Sequence, residues 1–241
     1  MNRVERQPHA YLDLASRRLK GMKIERLLNL GGRKQPFRML EVGVGSGGIA
    51  NYFGTHPTLR CEVDAVDTCD SRVIADHYRF QLVHDTRLPF GDRAFDVIVS
   101  NHVIEHVGDE SAQLQHLIEL RRVMARDGVG YLAVPNRWML VEPHYGLIFL
   151  SWLPRSWRSP YLRMARKGRD YDCEPLNVKD LERLLTSSGF QYENLCVEAL
   201  RAVFDIEHPE KMATRLLQRI PSRALESMRA VVPTLIYRIW N

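Results

Sequence analysis

Apolar positions along this chain follow two rhythms in turn. Leu12, Leu14, Ala15, Leu19, Met22, Ile24, Leu27 and Leu28 recur at roughly helical spacing with Arg and Lys between them, which predicts a helix over 10–30 that Gly31 and Gly32 stop. The run Phe37–Val44 then predicts a first strand, and Ile49–Phe53 opens a helix. Cys61–Val66 reads as a strand ending at Asp67, Ser71–His77 as a helix, and Phe80–His84 as a short strand ending at Asp85. Residues 96–101, DVIVSN, form an unbroken apolar run, as a strand covered on both faces requires. An amphipathic helix over Glu110–Ala125, closed by Asp127 and Gly128, leads to a strand over Gly130–Val134 that Pro135 ends. Strands alternating with helices imply a parallel sheet with right-handed crossovers.

The rhythm breaks after Asn136. Residues 136–170 are rich in Trp, Pro, Tyr and Arg with no sustained period, and read as a cap over the C-terminal edge of the sheet. Beyond it the pattern predicts a helix over Val178–Ser188 ended by Gly189, a strand over Tyr192–Ala199, a helix over 207–230 carrying Arg215, Arg219, Arg223 and Arg229, and a last strand over Leu235–Trp240. The expected organisation is one domain over 1–241: a core of about 36–136, a cap over 137–175, and the C-terminal half of the sheet over 176–241.

Charge and cysteine usage narrow the function classes. A net charge of +5 and a pI near 9.1 fall short of a dedicated nucleic-acid binder, and no recognition helix or RNA-binding motif is evident, so no nucleic-acid partner is expected. Cys61, Cys69, Cys173 and Cys196 are scattered without a CxxC pair, which argues for reduced thiols and a cytoplasmic setting. The N-terminus lacks an apolar stretch of signal-peptide length, and Leu147–Leu153 is too short to span a bilayer. Between Arg155 and Arg169 there are six Lys or Arg and no acid, interleaved and flanked by Trp152, Trp157 and Tyr161. Three readings of 147–170 stay open: a lid meeting an anionic acceptor such as a phosphorylated sugar or lipid carrier, a peripheral patch at the inner membrane surface, or a solvated basic face over an aromatic mini-core.

The chemistry concentrates in Leu40-Glu41-Val42-Gly43-Val44-Gly45-Ser46-Gly47-Gly48. A strand delivers the chain to a glycine turn, the place where α/β sheets bind nucleotides. Gly43, Gly45 and Gly48 also satisfy the dinucleotide fingerprint GxGxxG, and Asp67, about 24 residues past Gly43, suits a ribose contact under either reading.

The residues that follow resemble class I S-adenosylmethionine (SAM)-dependent methyltransferases of the small-molecule, lipid and glycan branch. The resemblance runs from about Pro36 to Asn136. It rests on Glu41 before the loop, Val63-Asp64-Ala65-Val66-Asp67, His84-Asp85-Thr86-Arg87-Leu88-Pro89-Phe90, Phe95-Asp96-Val97-Ile98, Ser100–Val107 with its Glu105-His106-Val107, and Gly128–Pro135. It implies a Rossmann-like, mostly parallel α/β sheet of seven strands flanked by helices, with the last strand inserted antiparallel. It further implies SAM as cofactor: Gly43, Gly45 and Gly47 making room for its methionine and ribose portions, Glu41 anchoring the loop and reaching the amino group, and Asp67 accepting from the ribose hydroxyls. Asp85 and Thr86 would lie beside the adenine, Leu88 against the ring, and Asn101 and His102 at the methionine end.

The activity so implied is methyl transfer to a small-molecule acceptor, most readily a hydroxyl on a glycan, lipid-linked or natural-product substrate. A hydroxyl nucleophile must lose a proton, and His102, Glu105, His106 and His144 are the candidate bases; Glu105 and His106 fixing the loop as helix caps is the plainer alternative. Asn136-Arg137 followed by Glu142-Pro143-His144 loosely resembles glycan, lipid and natural-product methyltransferases. One Glu-His pair is too little to imply a metal, and none is expected. Two rivals remain, a nicotinamide-dependent oxidoreductase using the same glycine loop and a catalytically inactive SAM-binding protein; the intact Glu41, Asp67 and Asp85 weigh against the second.

Overall fold

The structure, a computed structural model, describes residues 13–207, 210, 218–226 and 232–241. Helix α1 (Leu14–Leu28) begins where the Asp13 carboxylate accepts from the amides of Ala15 and Ser16, and ends at Asn29 in the left-handed conformation. Strand β1 (Phe37–Val42) leads through the glycine loop into α2 (Gly48–Gly54). Strands β2 (Cys61–Asp67), β3 (Arg79–Leu82) and β4 (Phe95–Asn101) follow, then α3 (Glu110–Val123), capped by Asp109, and the long β5 (Met124–Pro135).

The cap holds a hairpin of β6 (Val141–Glu142) and β7 (Leu147–Ile148) and a helix α4 (Arg155–Met164). The chain then forms α5 (Val178–Ser187), β8 (Gln191–Asn194), α6 (Cys196–Glu207), the short α7 (Ser222–Glu226) and β9 (Thr234–Trp240).

Seven strands make one sheet in the order β3-β2-β1-β4-β5-β9-β8. Strands β1 to β5 are parallel, and β9 runs antiparallel between β5 and β8, from Val129 opposite Trp240 to Pro135 opposite Thr234. The expected seven-stranded α/β architecture is the one observed. Val97, Ile98 and Val99 are fully buried because helices cover both faces of the sheet. The order reverses between β1 and β4, so the crevice at their C-terminal ends is where a ligand site belongs.

Three expectations change. Residues 71–77 form no helix: the amides of Val73 and Ile74 donate to the Ser46 carbonyl, and Arg72 folds back onto Asp70 at 2.8 Å. Contacts to the glycine loop take the hydrogen bonds a helix would have used. The strand expected over Tyr192–Ala199 stops at Asn194, whose Oδ1 accepts from the Cys196 amide, and a helix follows. Its buried residues are Cys196, Val197, Ala199 and Ala202, which lie on one helical face and do not alternate. The cap also contains α4, which the irregular composition around Pro160 concealed. Much of the helix expected over 207–230, including Arg215 and Arg229, lies outside the described residues.

The cap is tied to the core at both stems. The Arg137 amide donates to the Leu176 carbonyl, and the Glu174 amide to the Glu105 carbonyl at 2.8 Å. Buried Arg158 donates to the Leu153 and Ser151 carbonyls and lies 3.5 Å from Glu174.

Candidate active site

A cavity of about 720 Å³ opens at the C-terminal ends of β1, β2 and β4, closed over by the cap and by α1. That is the size range of small-molecule and cofactor sites. Of the residues expected at the site, Glu41, Gly43, Gly45, Asp67, Asp85, Thr86, Leu88, Asn101, His102, His106 and His144 all line it.

Gly47 does not line it. Its φ is +83°, and a Cβ there would strike the Ile74 carbonyl and the Tyr78 hydroxyl, so the packing of the loop itself requires a residue without a side chain.

The wall expected to hold the cofactor is built mainly from backbone. Gly43, at φ +78°, turns the chain where a Cβ would meet Val103. Asp67, at the end of β2, accepts from the Gly45 amide at 2.9 Å through Oδ2 and from the Thr68 amide at 2.7 Å through Oδ1. It thus holds the glycine loop while facing the cavity. Glu41 is almost wholly buried, and burial pushes its carboxyl up to about 8 against the pull of the Ala50 amide and Arg17. Glu41 Oε2 and Asn101 Oδ1 are buried acceptors with no hydrogen-bond donor.

The segment beside the expected adenine site is held from α3. Asp85 accepts from the Arg87 amide, the Leu88 amide donates to Glu119 Oε2 at 3.0 Å, and Arg122 donates to the Leu88 and Phe90 carbonyls.

The opposite wall is made of ionisable side chains. Glu105, fully buried in a 3₁₀ turn over Ile104–His106, has its Oε1 3.4 Å from His102 Nδ1 and 3.9 Å from His106 Nε2. Burial works to raise its pKa, but the two imidazoles outweigh it and the carboxyl stays below its ordinary value. Glu105 therefore sits between two imidazoles. His102 itself has φ +59°, a conformation uncommon for a residue other than glycine, fixed by its amide donating to the Ala133 carbonyl.

From the cap, His144 Nδ1 lies 2.6 Å from Oε1 of buried Glu142. A carboxylate only accepts, so Nδ1 carries the proton. Burial works against protonation of His144, but Glu142, Glu105 and Asp172 together raise its pKa. The His106 and His144 rings stand edge to face at 5.5 Å, and the Cys173 sulfur lies 3.7 Å from His106 Nδ1. Burial holds the Cys173 thiol protonated. Glu105, His106 and His144 bring potential metal-ligand atoms within 4.8 Å of one another.

Sequence reasoning missed Arg17 and Lys20 from α1, Asp172 from the end of the cap, and Glu142 as the partner of His144. None lies in a contiguous motif with the glycine loop; packing alone brings Arg17, Lys20 and Asp172 to the cavity, while Glu142 reaches it only through His144.

Comparison with known proteins identifies the class. The family model described as "Methyltransferase domain" matches residues 11–195, and the chain belongs to that family. The fold is that of class I SAM-dependent methyltransferases. Geranyl diphosphate C-methyltransferase from Streptomyces coelicolor, solved with Mg2+, geranyl diphosphate and S-adenosylhomocysteine, superposes with a TM-score of 0.53 at 16% identity over 94% of this chain and 80% of its own. The 1,6-didemethyltoxoflavin N1-methyltransferase from Burkholderia thailandensis gives 0.53 at 16% over 94% and 78%. No curated protein matches the sequence. The family match resolves the glycine loop in favour of the methyl donor over a nicotinamide.

The cofactor is SAM, and the residues present fit it. Glu41 Oε2 and Asn101 Oδ1 are acceptors awaiting donors, and the turn at Gly43 and Gly45 presents bare backbone to the cavity. Among the described residues no helix is long and apolar enough to cross a membrane.

Proposed function

We propose that this enzyme methylates a hydroxyl of a small-molecule acceptor, of glycan, lipid-linked or natural-product type, with His144 taking the hydroxyl proton. The observation that carries this reading is the 2.6 Å contact between His144 Nδ1 and Glu142 in a cap that faces the cofactor wall. With Nδ1 protonated toward a buried carboxylate, Nε2 is the basic nitrogen, the arrangement that orients a histidine base elsewhere.

When bound, SAM supplies a methyl already activated by a positive sulfur. The chain's own task is alignment and proton removal. Asp67 and Glu41 fix the cofactor wall, Asn101 and His102 close its methionine end, and His106 and His144 bound the acceptor space. The small molecules bound in the solved neighbours, geranyl diphosphate and 1,6-didemethyltoxoflavin, support a small-molecule acceptor. The test is methyl transfer from labelled SAM to a panel of hydroxylated glycans and phosphorylated lipids, comparing wild type with His144→Ala. Transfer to oxygen that falls with the variant supports the reading; transfer to carbon or nitrogen that is indifferent to His144 overturns it.

A second reading is favoured by one observation: both Glu105 oxygens are buried without hydrogen-bond donors, within reach of His106 and His144. A divalent cation held there would lower the hydroxyl pKa as a Lewis acid and replace the base. Metal analysis of the purified protein, with Glu105→Gln as the comparison, separates the two readings.

A further inference from the structure

The cap carries a surface that methyl transfer leaves unused. Thirteen large hydrophobic side chains are exposed among the described residues, and eight of them fall between Trp138 and Met164. Single exposed apolar residues are ordinary; a contiguous set is not. This set is contiguous. The Trp152 ring lies 5.4 Å from Trp138 and 5.1 Å from Phe149. The hairpin places Val141 opposite Ile148.

On α4, Arg158 and Leu162 point inward, while Trp157, Pro160 and Met164 recur at i, i+3 and i+7 and so share one exposed stripe. Trp157 is 66% exposed and Met164 75%. Tyr161, next round the helix from that stripe, donates to the Ile148 carbonyl at 3.3 Å, so the stripe borders the hairpin.

Cations surround this apolar face. Arg155, Arg163, Arg166, Lys167 and Arg169 are all exposed. Arg155 pairs with Glu174 and Arg163 lies 3.6 Å from Asp170, whereas Arg166, Lys167 and Arg169 make no salt bridge among the described residues. A second copy of the chain would bring like charges together on a shared face. An anionic bilayer satisfies both parts, with aromatic rings at headgroup depth and cations against lipid phosphates. The same hairpin contributes Val141, Pro143 and His144 to the cavity, so its mouth adjoins this face.

We propose that the hairpin and the α4 stripe dock on an anionic membrane surface and that the acceptor reaches the cavity from that surface. The second half of this statement rests on the hydroxyl-acceptor reading; the first half does not.

The test uses the whole chain with vesicles of equimolar phosphatidylcholine and phosphatidylglycerol, and vesicles of phosphatidylcholine alone. Sedimentation reports binding, and tryptophan fluorescence reports depth, since three of the four tryptophans lie in this face. Binding to the anionic vesicles with a blue shift is expected. Phe149→Glu/Trp157→Glu and Arg166→Glu/Lys167→Glu should each weaken it by about tenfold or more while SAM affinity, measured on the same samples, is unchanged. No sedimentation, binding that ignores both double variants, or a blue shift that follows protein concentration in the absence of lipid would overturn the proposal. His144→Ala should bind vesicles like wild type: if it does while oxygen methylation is not found, the acceptor reading falls and the docking surface stands.

Discussion

The wall of the cavity at the glycine loop is largely backbone and strand ends, whereas the opposite wall is a set of side chains delivered by the turn after β4 and by the cap. On the first, Asp67 and the turn at Gly43 and Gly45 define the space through φ angles and amide contacts within about 25 residues of sequence. On the second, His106 and Cys173 meet across 67 positions of chain, and His144 is brought to them by a hairpin that has no counterpart in the parallel core. A wall of backbone tolerates few substitutions because the main chain itself is the binding surface. A wall of side chains can be rewritten one residue at a time, which is how one fold accommodates many acceptors.

Substitutions that strike one wall and spare the other sharpen this contrast. Gly45→Val should have the largest effect: it places a β-branched residue at φ +51° on the cavity lining, and titration calorimetry should detect no SAM binding. His144→Ala should lower kcat by about 10²–10⁴-fold, the usual contribution of a positioned base, with SAM affinity preserved. A parallel loss of SAM affinity would show that the two walls are not separable.

Asp67→Ala removes a charged acceptor and releases the Gly45 amide, so SAM binding should weaken by about tenfold. Glu142→Gln should be the mildest. A base works only when deprotonated, and Glu142 raises the pKa of His144, so activity in wild type should rise with pH through an imidazole pKa above the ordinary value. Without the carboxylate that pKa falls, and the acidic limb of the pH–rate profile should move to lower pH. An unmoved limb would take His144 out of the rate profile.

How much of this was legible in the sequence follows the same division. The strands β1, β2, β4 and β5 and the presence of Glu41, Gly43, Asp67 and Leu88 at the cavity were readable because each belongs to a short contiguous pattern at or just past a strand end. The placement of Gly47 was not, since whether a glycine faces a ligand or its own loop depends on Ile74 and Tyr78 packing behind it. Residues 71–77 read as a helix between two strands, yet the Ser46 carbonyl captures the amides of Val73 and Ile74, a tertiary competition that a local pattern does not register. The cap histidine was visible as a candidate, but its partner Glu142 became meaningful only once the hairpin turned His144 back onto it. Arg17 and Lys20 gave no signal at all, because a basic pair on an N-terminal helix is ordinary until that helix is seen to close the cavity.

Glu41 has a consequence measurable before any acceptor is known. Burial pushes its carboxyl up to about 8, so in the ligand-free enzyme the protonated form is favoured near neutral pH. The ammonium group of SAM, brought against the unpartnered Oε2, would favour the ionised form and expel that proton to solvent. Cofactor capture should then be a proton-releasing reaction. Its heat should differ between buffers of high and low ionisation enthalpy, its affinity should climb between pH 6 and 8, and Glu41→Gln should erase both dependences.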